Sequence, residues 1–393
     1  MAFGVALANS YNTIKLEQNL SMKNSKHGGL FRLMTWFKTH LWHHRSIPQR
    51  VLIIFLFIAA VIYIQGILIA SWYINKHKNE PLNFGVTFST EYANYLGVEP
   101  QATFKALRDE MGFKRFRLMT FWNMVEPQKG VYDFSDIDWQ LKMIQEVGGT
   151  ATVAIGLRQP RWPECHEPQW AKGEPTAQLN SEIKTFLAKT IEHLKSSKVI
   201  TSYQLENEYF LSVFGNCKNQ ASRQQLTNEY NLVKKLDPSR PIIMSLANNY
   251  FGIPIGQPRP DQFAVSVYKR VFDYTVTHRY LEYPFTPKYY AYRAGLTEMF
   301  TKKSSMLHEL QVEPWIPPKF NGVINAPISE QNKSMDSKRA ARYIHYGVDT
   351  GFRDIDLWGG EWWYWRKTKL HDPGIWNSVK DALADARAKD SSK

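Results

Sequence analysis

The chain has 393 residues, 14% of them aromatic with 13 tryptophans, and a net charge of +13. That length suits one large α/β barrel or two ordinary domains. No basic stripe interleaved with aromatics runs along it, which argues against a nucleic-acid partner, and its two cysteines, Cys165 and Cys217, cannot form a CxxC metal site.

Residues 1–50 carry seven lysines and arginines against Glu17 alone. Within them "FRLMTWFKTHLWHHR" (31–45) mixes aromatic with basic residues and reads either as an interfacial helix on anionic headgroups or as a plain juxtamembrane flank. Next comes "VLIIFLFIAAVIYIQGILIASWYI" (51–74), a stretch without charge. At about 1.5 Å per residue it reaches roughly 36 Å, enough to cross a ~30 Å hydrocarbon core with some tilt. It is too long for the apolar part of a signal peptide and too far from the start. The excess of basic residues before it keeps the arm in the cytoplasm and exports the residues from 75 onward, so the lipid bilayer is an expected partner. The expected organisation is a basic cytoplasmic arm (1–50), a transmembrane signal-anchor helix (51–74), a linker (75–81), a large domain (82–385) and a polar C-terminal tail (386–393).

From Pro81 onward strand-like runs alternate with longer helical stretches. The strands are predicted at 84–89, 113–119, 150–156, 200–206, 241–247, 263–268, 305–310 and 352–358, with helices such as 100–112, 134–148 and 179–197 between them. Eight βα units over about 300 residues fit an α/β fold of the (β/α)8, or TIM-barrel, kind preceded by one transmembrane helix. In such a barrel the active groups stand at the C-terminal ends of the strands. This puts Arg117 on the second strand, Tyr268 at the end of the sixth and Trp358 at the end of the eighth. The run "YQLENEYF" (203–210) places Asn207 and Glu208 just past the fourth. A carboxylate at a barrel mouth is partly desolvated, which favours chemistry over packing, although Glu208 also reads as an ordinary charged loop residue. Glu309, at the end of the seventh strand, gives it a partner. Glycoside hydrolysis needs such a pair, one carboxylic acid to protonate the departing oxygen and one carboxylate to attack the anomeric carbon.

The Asn-Glu after the fourth strand, the Glu on the seventh and the stretch "RLMTFWNMVEPQKGVYDFSDID" (117–138) resemble the clan A retaining glycoside hydrolases, which include family 5 cellulases and mannanases and family 35 and 42 β-galactosidases. "RQPRWPECHEPQW" (158–170), "HELQVEPW" (308–315) and "LWGGEWWYW" (357–365) look most like cellulase-like or family 42-like members. The resemblance covers roughly residues 82–385. It implies Glu208 as general acid/base, Asn207 as ligand of the sugar 2-hydroxyl and Glu309 as nucleophile, with Glu313 as a competing nucleophile. It implies that Arg117 and Tyr268 hold the nucleophile ionised and that Trp358 forms the platform under the sugar. Trp122, Trp162 and Trp315 are further candidates for substrate contact, with Trp170, Trp362 and Trp363 near the same face. Glu206 reads as a structural carboxylate pointing the other way, and His166 and His308 as hydrogen-bonding residues. No metal or other cofactor and no protein partner is expected.

The resulting expectation is a membrane-anchored, single-pass, outward-facing glycosidase that cleaves β-glycosidic bonds of an oligo- or polysaccharide by a retaining two-glutamate mechanism. Alternatives are an inactive glycan-binding barrel and a transglycosidase of cell-envelope remodelling. Cys165 lies in the loop after the third strand and Cys217 in that after the fourth. Neighbouring loops of an exported barrel permit a disulfide between them, and two free thiols are the alternative.

Overall fold

The computed structural model describes residues 46–211, 215, 217, 222–247, 256 and 258–392. The expected arm up to residue 45, with its interfacial segment, lies outside the described residues. The chain divides into two units, 1–65 and 66–393. The described part of the first is helix α1 (Ile47–His77), which continues into the second and contains the charge-free stretch. Its side chains in the first unit are mostly exposed, Phe55, Phe57 and Tyr63 among them. Among the described residues it is the single helix long and apolar enough to cross a membrane.

The second unit begins with the last turns of α1. Here the expected linker at 75–81 is corrected, because the helix runs on to His77 and its final turns pack into the globular unit. Ala70, Tyr73 and His77 are buried, and the His77 ring lies 2.8 Å from a Glu298 carboxylate oxygen, while Glu298 also pairs with Lys76. The approach is close because Gly295 has no side chain: a Cβ there would sit 2.8 Å from Ile69 Cγ2 and 3.3 Å from the Ile69 carbonyl.

Among the described residues ten strands come after it: β1 (Asn83–Thr87), β2 (Arg115–Met119), β3 (Thr150–Ile155), β4 (Ile200–Leu205), β5 (Ile242–Leu246), β6 (Gln262–Val267), β7 (Arg270–Phe272), β8 (Tyr280–Glu282), β9 (Ser304–Gln311) and β10 (Asp354–Trp358). Eight close into a parallel barrel in the order β1-β10-β9-β6-β5-β4-β3-β2, while β7 and β8 form a separate antiparallel hairpin. All eight predicted strands are present, each within two residues of its expected ends. Both faces of these strands are covered, so β3 is buried at every position but its first.

Around the barrel lie α2 (Pro100–Asp109), α3 (Ser135–Gln145), α4 (Thr176–Leu194), α5 (Arg223–Leu236), α6 (Pro287–Thr301), α7 (Ser337–Asp349) and α8 (Gly374–Ser391). Their apolar stripes meet the outer face of the sheet. Leu179, Ile183, Phe186, Leu187 and Ile191 show the three-and-four spacing on α4, and all are buried. The C-terminal residues are helix through Ser391, not a tail. Ala386 is buried and Asp390 accepts from Arg353 at 2.6 Å, which ties the end of the chain to the start of β10.

One irregularity positions the site. β9 pairs Val265 with Leu307 but Ser266 with Glu309, and Ile355 with Leu307 but Leu357 with Leu310. The strand therefore carries one extra residue at His308, a β-bulge that breaks the strict alternation of faces. As a result His308 and Glu309 both reach polar partners inside the barrel, His308 Nδ1 at 2.7 Å from Asp356 and Glu309 on Arg117.

Candidate active site

Arg117 is fully buried inside the barrel. Its Nε donates to Gln204 Oε1 at 2.7 Å, Nη1 to Glu309 Oε1 at 2.7 Å and Nη2 to Asn207 Oδ1 at 3.1 Å. A buried guanidinium is tolerated only when paired in this way, and its planar fork ties β2, β4 and β9 to one point. The second oxygen of Glu309 accepts from the Tyr268 hydroxyl at 2.8 Å. Tyr268 in turn meets Trp315 edge-on, with ring centroids 5.7 Å apart.

Beyond β4 the chain bends sharply. Glu206 and Glu208 both have positive φ, +56° and +41°, which for non-glycine residues is strained backbone of the kind that gathers at functional sites. Between them, Asn207 is buried and its Oδ1 accepts from Gln204 at 2.9 Å as well as from Arg117. Glu206 turns outward from this cluster, as expected, and accepts the backbone N–H groups of Leu157 and Arg158, each at 2.7 Å. Gly156 makes room for it: a Cβ there would lie 2.0 Å from Glu206 Oε1, and its φ is +103°.

The Glu208 backbone N–H donates to Ser245 Oγ at 2.8 Å, and its carboxyl accepts from Ser266, the register neighbour of Glu309. Burial of the carboxyl, followed by the negative charge of Glu309, pushes Glu208 up to about 7. Like charges in one low-dielectric space disfavour double ionisation, so Glu208 keeps its proton to higher pH.

Glu313 stands apart from this pair. β9 ends at Gln311, and the two Glu313 oxygens are taken by Arg161 Nη1, 2.9 Å from each, and by the Tyr92 hydroxyl at 2.7 Å. Arg161 also donates to Glu361 at 3.1 Å, and its guanidinium lies over the rings of Tyr92 at 3.7 Å and Trp358 at 4.1 Å. Trp358, nearly buried at the end of β10, therefore has one face covered by Arg161.

Of the other tryptophans, Trp162 is exposed in the loop after β3, while Trp122 is a correction. Trp122 is 0% exposed, packs on Phe186 and Trp170 and donates to Glu126 at 2.7 Å, so it fills the core and presents no surface to a substrate. Trp362 and Trp363 are equally buried, held by Gln331 and the Val312 carbonyl. His166 stacks on Phe121 at 3.7 Å.

Cys165 and Cys217 are joined in a disulfide, with Cα atoms 5.2 Å apart. Beside them stands a residue that sequence reasoning missed. Glu164 is buried, accepts from Asn207 Nδ2 at 3.0 Å and lies 3.6 Å from Arg158. Burial raises its carboxyl well above the usual range, opposed by the Asn207 hydrogen bond. Its one signal was an acidic residue next to a cysteine in a mouth loop. Arg161, Tyr92, Ser245 and Ser266 gave none that separates them from ordinary loop and strand residues.

No protein-family profile matches the chain. Among curated proteins, β-galactosidase 11 of Oryza sativa subsp. japonica is 32% identical over 118 residues, 25% of this chain and 14% of that protein. β-Galactosidase 14 of Arabidopsis thaliana is 28% identical over 127 residues, again 14% of its length. The chain thus matches about one seventh of these relatives. Among solved structures, GH5_18 from Streptomyces cattleya in complex with GlcNAc superposes with a TM-score of 0.55 at 14% identity, covering 78% of this chain and 80% of that one. The exo-β-1,4-mannosidase of Opitutaceae bacterium strain TAV5 gives 0.52 at 14% identity, over 78% and 60% of the two chains. At these identities the likeness is one of fold: this chain has the parallel barrel of those glycoside hydrolases.

Proposed function

We propose that the barrel is a retaining glycosidase acting on β-glycosidic bonds of an oligo- or polysaccharide. The observation that carries this reading is the convergence of Arg117 and Tyr268 on Glu309, with Glu208 close enough for Glu309 to raise its carboxyl. Charge-assisted hydrogen bonds from Arg117 and Tyr268 suit a carboxylate that must carry negative charge when it attacks. Glu309 attacks the anomeric carbon and forms a covalent glycosyl-enzyme while Glu208 protonates the departing oxygen. Glu208, now ionised, takes a proton from water, which displaces the sugar from Glu309. Formation of the ester removes the Glu309 charge, so the Glu208 carboxyl falls at the step where it must act as base. Asn207, fixed on three sides, meets the sugar 2-hydroxyl, and Trp358 lies beneath the ring. The chain is anchored through residues 51–74, with the basic arm in the cytoplasm and the barrel outside.

The test is a screen of the full-length protein in detergent against aryl β-glycosides and β-glucan, mannan and galactan. At least one is hydrolysed, and Glu208→Gln lowers the rate about 10²–10⁴-fold while Glu309→Gln abolishes it. Hydrolysis unchanged in Glu309→Gln would refute the assignment. For topology, protease added to intact cells removes a C-terminal tag and spares an N-terminal one; a protected C-terminus refutes the orientation.

A further inference from the structure

The loop after β3 makes contacts far from its own strand. At one end Glu164 bonds Asn207 and Cys165 is bonded to Cys217, both beyond β4. Three residues earlier, Arg161 is held by Glu313 past β9, by Glu361 past β10 and between the rings of Tyr92 and Trp358. In the ring of eight strands β4 and β10 stand four places apart, on opposite sides. Residues 161–164 close a tight turn, with the Glu164 N–H donating to the Arg161 carbonyl at 2.7 Å. It is the Arg161 and Glu164 side chains reaching out from this turn that form a chord across the mouth, with β1, β2 and β3 on one side of it and β5, β6 and β9 on the other.

The chord is built to stay in place. Arg161 is almost wholly buried, and one guanidinium serves two carboxylates and two aromatic faces. Arg161 and Glu164 both hold positive φ, +86° and +70°, which persists only where surroundings over-determine the backbone. The disulfide fixes the other end. Mobile lids are drawn from weakly held segments, and this one is not.

Its position bears on how a sugar chain can lie. Glu208 comes from β4 and Glu309 from β9, so a glycan threaded between them runs from the β5 and β6 side toward the β1 to β3 side. The chord crosses that route at Trp358, the platform proposed under the sugar whose bond breaks. We infer that residues 161–165 close the glycone end of the cleft, so that the substrates are chains presenting a free non-reducing terminal sugar, released one unit at a time. The inference rests on the glycosidase reading above and adds exo action to it.

The experiment uses the full-length protein in detergent with two kinds of probe. The first comprises β-1,4-linked gluco-, manno- and galactohexaoses labelled at the reducing end. The second is the aryl β-glycoside that the protein cleaves, compared with its 4,6-O-benzylidene derivative, whose terminal sugar is capped. Expected early products are a labelled pentaose and free monosaccharide, and the capped glycoside is cut at least 100-fold more slowly than the uncapped one. Arg161→Ala, which unpins the chord, releases labelled di- and trisaccharides among the first products and narrows the capped-to-uncapped ratio at least tenfold. If that variant does not fold, the product ladder of the unaltered protein decides alone. Mid-chain products from the unaltered protein, or equal rates on capped and uncapped glycosides, overturn the closed cleft and leave the glycosidase reading standing. Failure to cleave any probe, aryl monoglycosides included, removes that reading and this inference with it.

Discussion

The guanidinium of Arg117 and the carboxylate of Glu309 form an ion pair 2.7 Å long in the barrel, with Arg117 fully shielded from solvent. Removing one partner of such a pair leaves a charge buried without compensation, which costs roughly 3–5 kcal/mol. Arg117→Ala is therefore expected to lower both thermal stability and activity. Tyr268→Phe deletes only the other donor to Glu309. Losing a hydrogen bond to a charged group costs about 1.5–3 kcal/mol, or roughly a 10–150-fold fall in kcat/KM, with the fold intact by circular dichroism. Unchanged kinetics in Tyr268→Phe would mean that Glu309 does not depend on that hydroxyl.

The state of Glu208 sets the alkaline limb of the pH profile. The acid must hold its proton when substrate binds, and burial with the Glu309 charge raises its carboxyl to about 7. Above that pH the protonated fraction falls about tenfold per unit, so kcat/KM of the free enzyme declines along a slope of one. Glu208→Gln, assayed on an aryl glycoside whose leaving group needs no proton, loses this limb. A limb that stays in the variant assigns it to another group.

A second carboxyl pair governs stability. On α5, Glu229 is buried, accepts from Gln225 at 2.7 Å and is raised from 4.5 to about 7, chiefly by burial; burial, and after it the Glu229 charge, also raises Glu206. A carboxyl raised in the folded state is released first by the unfolded chain, so stability falls as pH climbs from about 4.5 to about 7 and levels off above. Thermal melts of Glu229→Gln should match the unaltered protein near pH 4 and exceed it at pH 8. A constant difference across that range would exclude titration as the cause.

The Cys165–Cys217 bond closes a 52-residue separation. In the chain-entropy model such a loop is worth about 4 kcal/mol. Cys217→Ser with Cys165→Ser is expected to lower the melting temperature. Because Glu164 beside it bonds Asn207, kcat/KM should fall as well, and adding reductant to the unaltered protein should give the same two changes. Stability loss with kinetics untouched would separate the disulfide from the site.

Much of this architecture is legible in the sequence because it rests on local signals. Strand runs such as "TATVAIG", bounded by helical stretches, mark the barrel, and strand direction in such a barrel fixes which ends face the mouth. Asn207, Glu208 and Glu309 emerge from strand ends alone, and Arg117 and Tyr268, which the resemblance singles out, both bond Glu309. The features that escape are long-range. The bulge at His308 depends on pairing with two other strands. Arg161 reaches residues about 150 to 200 positions away, and no local pattern announces such a contact. Trp122 is misread because proximity to a mouth loop says nothing about which way a ring points, and its indole N–H finds Glu126 in the core. The linker is misread because the fall in hydropathy after residue 74 marks the end of the apolar stretch, while packing against Gly295 and Glu298 carries the helix on to His77.

The most direct measurement is capture of the covalent intermediate. An aryl 2-deoxy-2-fluoro-β-glycoside of the preferred sugar, with a good leaving group, slows the second step and lets the ester accumulate. Mass spectrometry of the digested protein should then find the fluorosugar on Glu309, with no label in Glu309→Gln. A label on Glu313, or inactivation that leaves Glu309 unmodified, would contradict the two-glutamate site described by Arg117, Tyr268 and Glu208.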